Sequence, residues 1–347
     1  MKFILTILFF LSSISTYCQV EKISEIFDEI DSKENLSGVV LVGQDGQVIF
    51  QKAYGIANQS FGIENNLDTK FLIGSLTKQF TAMLVMQLAE TGQLSLDVPI
   101  TTYLPNFRNE TGDKITIRHL LTHTHGIPNP NLTDRYKPMT KEEFIQNYAE
   151  ANLDFEPGAQ FEYSGVVGYY LIGVILEKVT NKDFAKLLEE NILEPLDMRN
   201  TDYYSQDTIQ QNFATGYIQK DSSFLYAPHW DMSQSFSASG IYSTVGDLFK
   251  WDRALRGTQL ISNTGVETIF TPFSNKIRYG FGWFINDPVI NGEKRLFAGH
   301  NGGANGYKSQ IMRGINEDLV VIYLSNTDKY VEIRYPIIEA VVNDEGK

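Results

Sequence analysis

The sequence predicts an α/β fold, in which an antiparallel β-sheet is flanked by terminal helices and an all-helical lobe is inserted. Three observations predict it: β-rich runs occur near both ends of the chain, an amphipathic segment lies outside each set of runs, and the middle is rich in helical patterns. Runs from the two ends can pair in one sheet with helices packed on it. The 347 residues suit two lobes that share one interface.

The first part of the predicted sheet lobe begins with an amphipathic stretch from Val20 to Asp31. Two β-rich runs follow, Gly38 to Val42 and Val48 to Tyr54, and Asp45-Gly46 between them is a hairpin turn signal. Apolar residues then recur at helical spacing from Leu76 to Thr91. This part therefore predicts a helix, a two-stranded hairpin and a second helix.

The middle of the chain carries helix signals. Thr140 and Glu143 have the spacing of a capping box, and the segments from Val167 to Val179 and from Phe184 to Leu193 are apolar with a helical period. We therefore expect a helical lobe over residues 96–232.

The last part of the chain returns to β-like patterns. Four runs and a final amphipathic segment are predicted: Tyr279 to Ile285, Lys294 to Ala298, Gly306 to Met312, Leu319 to Ser325 and Ile333 to Val342. Residues 19–95 and 233–347 would then form a discontinuous α/β lobe around the helical lobe. Ligands usually bind in the cleft between such lobes.

The first eighteen residues have the pattern of a signal peptide. Lys2 precedes an apolar run over residues 3–11, and small polar residues continue to Cys18. Neither this run nor any later stretch approaches the twenty apolar residues of a transmembrane helix. We expect residues 1–18 to be removed and the protein to be secreted or periplasmic, without stable membrane insertion. Lipid attachment at Cys18 is less favoured because the bulky Tyr17 precedes it.

Composition excludes several classes of function. Cys18 is the only cysteine, so disulfides, cysteine nucleophiles and thiolate zinc sites are all excluded from the mature fold. The formal net charge of −13 disfavours nucleic acid and anionic membranes as partners. We therefore expect the protein to act on a small molecule or a peptide.

Ser75 and Lys78 carry the main chemical signal. They lie three residues apart at the start of a predicted helix, a spacing that puts both side chains on one face. A lysine can accept the serine proton when burial and nearby positive potential lower its pKa. The start of a helix supplies such potential, and its N–H groups can stabilise an oxyanion. Without further signals, a capping serine beside a solvated lysine explains the pair equally well.

The residues around this pair resemble a known family. Residues 69–81 read TKFLIGSLTKQFT and resemble the active-site segment of the serine β-lactamases and penicillin-binding proteins, of the class C and D-Ala-D-Ala carboxypeptidase type. Further similar segments follow in the same order between residues 37 and 325: 115–126, Pro157-Gly158 with Tyr163-Ser164, 239–248 and 299–303. The resemblance implies a β-lactamase/transpeptidase-like fold, acyl-enzyme chemistry on the serine and no cofactor.

Tyr163 and Gly165 correspond to the family's second motif. The resemblance assigns to Tyr163 a share in the general-base work, through a phenol that is partly ionised beside Lys78. The family has asparagine two residues after this tyrosine, but this chain has Gly165. Loss of a carboxamide that would grip an acylamino side chain favours ester substrates over peptides and β-lactams. We count Gly165 among the substrate-binding positions.

His300 and the glycines after it match the family's third motif. His300-Asn301-Gly302 follows a predicted strand, and the resemblance implies that the imidazole binds a substrate carboxylate or the Tyr163 oxygen. Gly302 and Gly303 would let a substrate lie close to the strand. We therefore predict Ser75, Lys78, Tyr163 and His300 as catalytic residues.

Other histidines and aromatic residues carry weaker signals. His119 and His123 are four residues apart, but Leu120 stands where a zinc protease has glutamate, so we predict no metal site. A loop-like segment containing Tyr226, His229 and Trp230 is a candidate lining for the substrate pocket.

Together these observations predict a secreted serine hydrolase that forms an acyl-enzyme. Its substrate would be a small ester, a D-amino-acid peptide or a peptidoglycan fragment. A β-lactamase is the alternative within this class, and a non-catalytic peptidoglycan-binding protein is the alternative outside it. The sequence leaves the oligomeric state open.

Overall fold

In the computed structural model, the described residues are 19–129, 136–221 and 223–344. The predicted signal peptide, with Cys18, lies outside them. A six-stranded antiparallel sheet forms the centre of the α/β part. Its strands are β1 (Gly38–Gln44), β2 (Gln47–Tyr54), β3 (Phe284–Asn286), β4 (Phe297–Ala304), β5 (Tyr307–Gly314) and β6 (Leu319–Ser325).

The strand order is β3-β4-β5-β6-β1-β2, so the pairing of β1 with β6 joins the two ends of the chain inside the sheet. Gly38 pairs with Ser325 and Gln44 with Leu319. The predicted meeting of N-terminal and C-terminal strands in one antiparallel sheet is confirmed. Of the predicted run from Tyr279 to Ile285, only its end is a strand, since β3 starts at Phe284.

Helices cover both faces of this sheet. On the outer face, helix α1 (residues 19–34) and helix α4 (Arg334–Asp344) pack together, and Phe27 meets Val40 and Ile337 in one apolar cluster. On the inner face, helix α2 (Thr77–Glu90) packs with Val39 and Leu41 in the main core. Alternate strand residues point to opposite faces, which is why Val39 and Val40 enter different clusters.

The middle of the chain contains helix α3 (Val167–Thr180) and several shorter helices. The remaining helical elements in the described residues are Gly74–Leu76, Ile100–Thr102, Asn109–Gly112, Ile117–Leu121, Lys141–Ala149, Phe184–Leu188, Glu189–Leu193, Met232–Gln234, Phe236–Ser239, Val245–Ala254 and Asn263–Phe270. The predicted capping box is present, because the Thr140 hydroxyl accepts from the Glu143 N–H and the Glu143 carboxylate accepts from the Thr140 N–H.

The inserted segment is not all-helical. Asp202–Tyr203 pairs with Ile241–Ser243, which also pairs with Phe71–Leu72, and Tyr217–Lys220 forms a hairpin with Ser223–Tyr226. These strands have two to four residues, too few to show an alternating pattern in the sequence. The other short strands are Ile56–Asn58, Ile63–Glu64, Val289–Ile290 and Glu293–Lys294.

Candidate active site

Ser75 lies in a single turn of 3-10 helix, Gly74–Leu76, directly before α2. Gly74 has φ +51°, and a Cβ built on it would lie 2.5 Å from the Gly303 nitrogen. A glycine is needed there both for the left-handed backbone and for the close approach. The turn thus presents Ser75 beside β4, and helix α2 begins at Thr77, one residue later than predicted.

Lys78 is fully buried and its ammonium group faces Ser75. Its Nζ donates to Ser75 Oγ at 3.0 Å, to the Gly165 carbonyl at 2.7 Å and to the Ala238 carbonyl at 3.0 Å. Burial lowers the pKa of Lys78 to about 7, because the charged form loses its hydration. The structure brings the predicted nucleophile and base together, with the lysine largely neutral just above neutral pH.

Tyr163 completes a cluster around the lysine. Its hydroxyl and Ser75 line the same pocket and interact, and Lys78 Nζ lies 5.4 Å from the Tyr163 ring centre. Burial raises the pKa of Tyr163 to about 12, outweighing the opposite effect of Ser75. This raised pKa opposes the partial ionisation of the phenol that the resemblance implies. Tyr163 is a neutral hydroxyl that can relay a proton.

Gly165 contributes its backbone to this cluster. Its carbonyl is one of the three acceptors of Lys78, and the residue is exposed at the pocket. A Cβ built on Gly165 would meet no atom within 4 Å. The missing asparagine therefore leaves open space in front of Ser75, and no neighbouring side chain fills it.

His300 does not face the cleft. It is 2% exposed, its Nδ1–H donates to the Asn301 carbonyl at 2.6 Å, and its Nε2 accepts from the Tyr279 hydroxyl at 3.0 Å. Burial, with Lys78 nearby, lowers the pKa of His300 to about 3. The expected contact with a substrate carboxylate has no support in this arrangement, because His300 is not among the residues that line the pocket. His300 instead belongs to the aromatic wall behind Tyr163, with 5.8 Å between the two ring centres.

The two glycines after His300 serve different purposes. Gly302 is buried, and a Cβ on it would collide with the Ile73 carbonyl and with Ser309 Oγ. Its small size therefore seats β4 against the chain that carries Ser75, rather than against a substrate. Gly303 is exposed and lines the pocket, as predicted. Only residues Phe297–Gly299 of β4 pair with β3, so the edge of β4 beyond Gly299 is not covered by β3.

The remaining histidines form buried hydrogen bonds. The Ile127 N–H donates to His125 Nδ1, so the proton of the neutral His125 ring is on Nε2. His125 Nε2–H therefore donates to Ser164 Oγ at 2.9 Å. The same Ser164 Oγ lies 3.2 Å from His123 Nδ1. His119 Nδ1 accepts from the Thr116 N–H in a capping box. Among the described residues, no group of three or more His, Cys, Asp or Glu side chains could hold a metal ion.

A pocket of about 650 Å³ opens in front of Ser75. Its lining comprises Ser75, Asn129, Tyr163, Gly165, Val166, Trp230, Met232, Ser235, Ser239, Gly303, Ala304, Asn305, Gly306, Lys308 and Asp328. Trp230 also lines an adjoining pocket of about 280 Å³ together with Tyr226 and His229. All three aromatic residues proposed from the sequence thus lie at or beside the site.

Sequence reasoning missed several lining residues. Ser239 lies in the segment 239–248, which resembles the family, so the sequence could have indicated its place at the pocket. Lys308 and Asp328 carried no signal, because tertiary packing brings them to the pocket. Lys308 lies on β5 opposite Gly303, and the Asp328 N–H donates to the Tyr217 carbonyl.

Comparisons with known proteins identify the family of this chain. The family described as Beta-lactamase matches residues 23–341. The chain belongs to this family. It is 28% identical over 340 residues to a penicillin-binding protein of Bacillus subtilis (strain 168), a match that covers 91% of this chain and 73% of the relative.

Solved structures are similar over nearly the whole chain. A penicillin-binding protein from Bacillus halodurans superposes with a TM-score of 0.76 at 27% identity, covering 91% of this chain and 98% of that one. A D-stereospecific amidohydrolase from Streptomyces sp. superposes with a TM-score of 0.74 at 25% identity, covering 89% and 94%. The mixed α/β fold and the membership in this serine hydrolase family are therefore shown. Of the helices in the described residues, none is long and apolar enough to cross a membrane.

Proposed function

We propose that the protein is a serine hydrolase that forms an acyl-enzyme on Ser75 with a small ester or a D-amino-acid amide. One observation carries the proposal: Ser75 Oγ lies 3.0 Å from the amine of a fully buried lysine, at a pocket of about 650 Å³. A lysine buried in this way is neutral often enough to act as a base near pH 7.

In acylation, the Ser75 hydroxyl gives its proton to the neutral Lys78 amine while Oγ bonds to the substrate carbonyl carbon. The carbonyl oxygen becomes an oxyanion, whose stabilisation we assign to the backbone N–H groups of Ser75 and Gly303. Lys78 then returns the proton to the leaving oxygen or nitrogen, directly or through the Tyr163 hydroxyl. The bond to that atom breaks, and an alcohol or amine departs.

Deacylation repeats these steps with water. A water molecule gives one proton to Lys78 and adds to the acyl carbonyl, and the second oxyanion collapses. Ser75 Oγ takes the proton back as the carboxylic acid leaves. In this scheme His300 is a positioning residue, because its ring packs behind Tyr163 without reaching the pocket.

The open space at Gly165 favours esters over peptides. A peptide substrate gains from a carboxamide that holds its amide groups, whereas a reactive ester needs less anchoring. The similarity to a D-stereospecific amidohydrolase supports a D-amino-acid amide or peptidoglycan fragment as the second candidate. The pattern of residues 1–18 supports an exported, secreted or periplasmic protein.

Three substrates measured side by side test the proposal. We expect p-nitrophenyl butyrate to be hydrolysed with the highest kcat/KM, a D-Ala-D-Ala peptide more slowly and nitrocefin most slowly. Ser75→Ala should abolish turnover of all three. Dominant nitrocefin turnover would favour a β-lactamase. Peptidoglycan binding that survives in Ser75→Ala, without turnover by the wild type, would favour a non-catalytic binding protein.

A further inference from the structure

Lys308 is a lysine at the rim of the Ser75 pocket. It lies on β5 directly opposite Gly303 of β4, and it is half-buried rather than extended into solvent. A Cβ built on Gly303 would lie 3.4 Å from Lys308 Nζ, and no other atom would be within 4 Å. The lysine side chain therefore crosses over Gly303 and brings its ammonium group to the pocket.

This ammonium group has no ion pair within 4.0 Å and no hydrogen bond in the part of the chain that the structure describes. Asp328 lines the same pocket, but its carboxylate accepts from the Gln219 N–H at 2.9 Å and makes no ion pair with Lys308. By comparison, Lys141 pairs with Glu177 and Lys329 pairs with Glu34. A partly desolvated cation gains free energy when an anion binds beside it.

The lysine lies close to the nucleophile, so an anion that it binds would be part of the substrate. Gly303 lies beside the turn that carries Ser75, as the close approach of Gly74 to the Gly303 nitrogen shows. A group bound at Lys308 is thus a few atoms away from a carbonyl carbon that reacts with Ser75. The chain as a whole carries a net charge of −13, so its overall field does not attract anionic substrates. Recognition of an anion needs a local cation of this kind.

We propose that Lys308 binds a carboxylate of the substrate, which makes carboxylate-bearing esters or amides the preferred class. This inference rests on the proposed acyl-enzyme function and narrows its substrate. The carboxylate could belong to the acyl group or to the leaving group, and the chemistry at Lys308 is the same in both. Lys308 determines specificity, since it touches the substrate away from the reacting atoms.

Two matched substrate pairs distinguish these sources. Mono-(4-nitrophenyl) glutarate and its methyl ester differ by an acyl-side carboxylate, whereas 3-acetoxybenzoate and 3-acetoxybenzamide differ by a leaving-group carboxylate. The readout is the kcat/KM ratio of the charged to the neutral member. Lys308→Gln should lower this ratio about tenfold for one pair, mainly through KM, and Lys308→Arg should keep most of it. Lys33→Gln removes an equal charge from α1 on the outer face and should leave both ratios unchanged.

The possible outcomes separate the two proposals. If the neutral esters are hydrolysed through Ser75 but the ratios are the same in Lys308→Gln and wild type, the carboxylate site is refuted and the hydrolase stands. Equal falls of the kcat/KM ratio in Lys308→Gln and Lys33→Gln would also refute the carboxylate site, because such falls would depend only on net charge. If wild type hydrolyses none of the four esters, the hydrolase itself is refuted, and the carboxylate site with it.

Discussion

The pH dependence of acylation follows from the burial of Lys78. With a pKa of about 7, the lysine is neutral in about 1% of molecules at pH 5, in about half at pH 7 and in about 90% at pH 8. Only the neutral amine can take the Ser75 proton. We therefore expect kcat/KM to rise about tenfold per pH unit below pH 6 and to level off above pH 8.

The size of the pKa shift distinguishes Lys78 from an ordinary lysine. At the usual lysine pKa of 10.5, the neutral fraction at pH 7 would be smaller by roughly a thousandfold, and kcat/KM would still rise at pH 9. Neither His300 nor Tyr163 produces an inflection near 7, because burial lowers the pKa of His300 to about 3 and raises that of Tyr163 to about 12. An inflection near 7 that persists in His229→Gln would thus report Lys78.

The assay is kcat/KM for p-nitrophenyl butyrate between pH 5 and 9, since kcat/KM reports groups of the free enzyme. Lys78→Arg keeps the charge but cannot deprotonate, so we expect a loss of about 10²–10⁴-fold and no rise with pH. His229→Gln, which changes an imidazole in the adjoining pocket, should keep the inflection. A flat profile in the wild type, or an inflection that moves in His229→Gln, would refute the assignment of Lys78 as the base.

Three further predictions concern the neighbours of this pair. Tyr163→Phe removes a hydroxyl that lies at the same pocket as Ser75, so kcat/KM should fall about 10²-fold with the inflection retained. An unchanged rate would exclude the proton relay. The side chain introduced by Gly165→Asn would occupy open space, so the melting temperature should stay unchanged while the ratio of kcat/KM for the peptide to that for the ester rises. An unchanged ratio would show that the missing carboxamide does not set the preference for esters. Gly302→Ala would collide with the Ile73 carbonyl, so urea unfolding should show a loss of about 1–3 kcal/mol, and wild-type stability would contradict the close seating of β4.

The sequence could predict those features that depend on short-range spacing. Ser75 and Lys78 are separated by three residues, and the geometry of one helical turn alone brings them together. The strands near both chain ends were recognisable because runs such as Leu319–Ser325 are long and apolar. The strands between 202 and 226 were missed because they are short and half-exposed.

Features that depend on tertiary packing could not be predicted. The direction of His300 follows from which face of β4 packs against Tyr279, and the resemblance to the family's third motif does not specify it. Lys308 reaches the pocket through its pairing with Gly303, five residues away across a turn. The pKa of Tyr163 depends on burial by distant aromatic residues, so its protonation state required the assembled site.

The proposed mechanism requires Ser75 to be the nucleophile. Intact-mass measurement of the folded protein after treatment with a fluorophosphonate tests it directly, with peptide mapping to locate the label. We expect one adduct per chain, on Ser75, which forms faster at pH 8 than at pH 6 and is absent in Ser75→Ala. An unlabelled wild-type protein across this pH range, or a label on another residue that persists in Ser75→Ala, would contradict it.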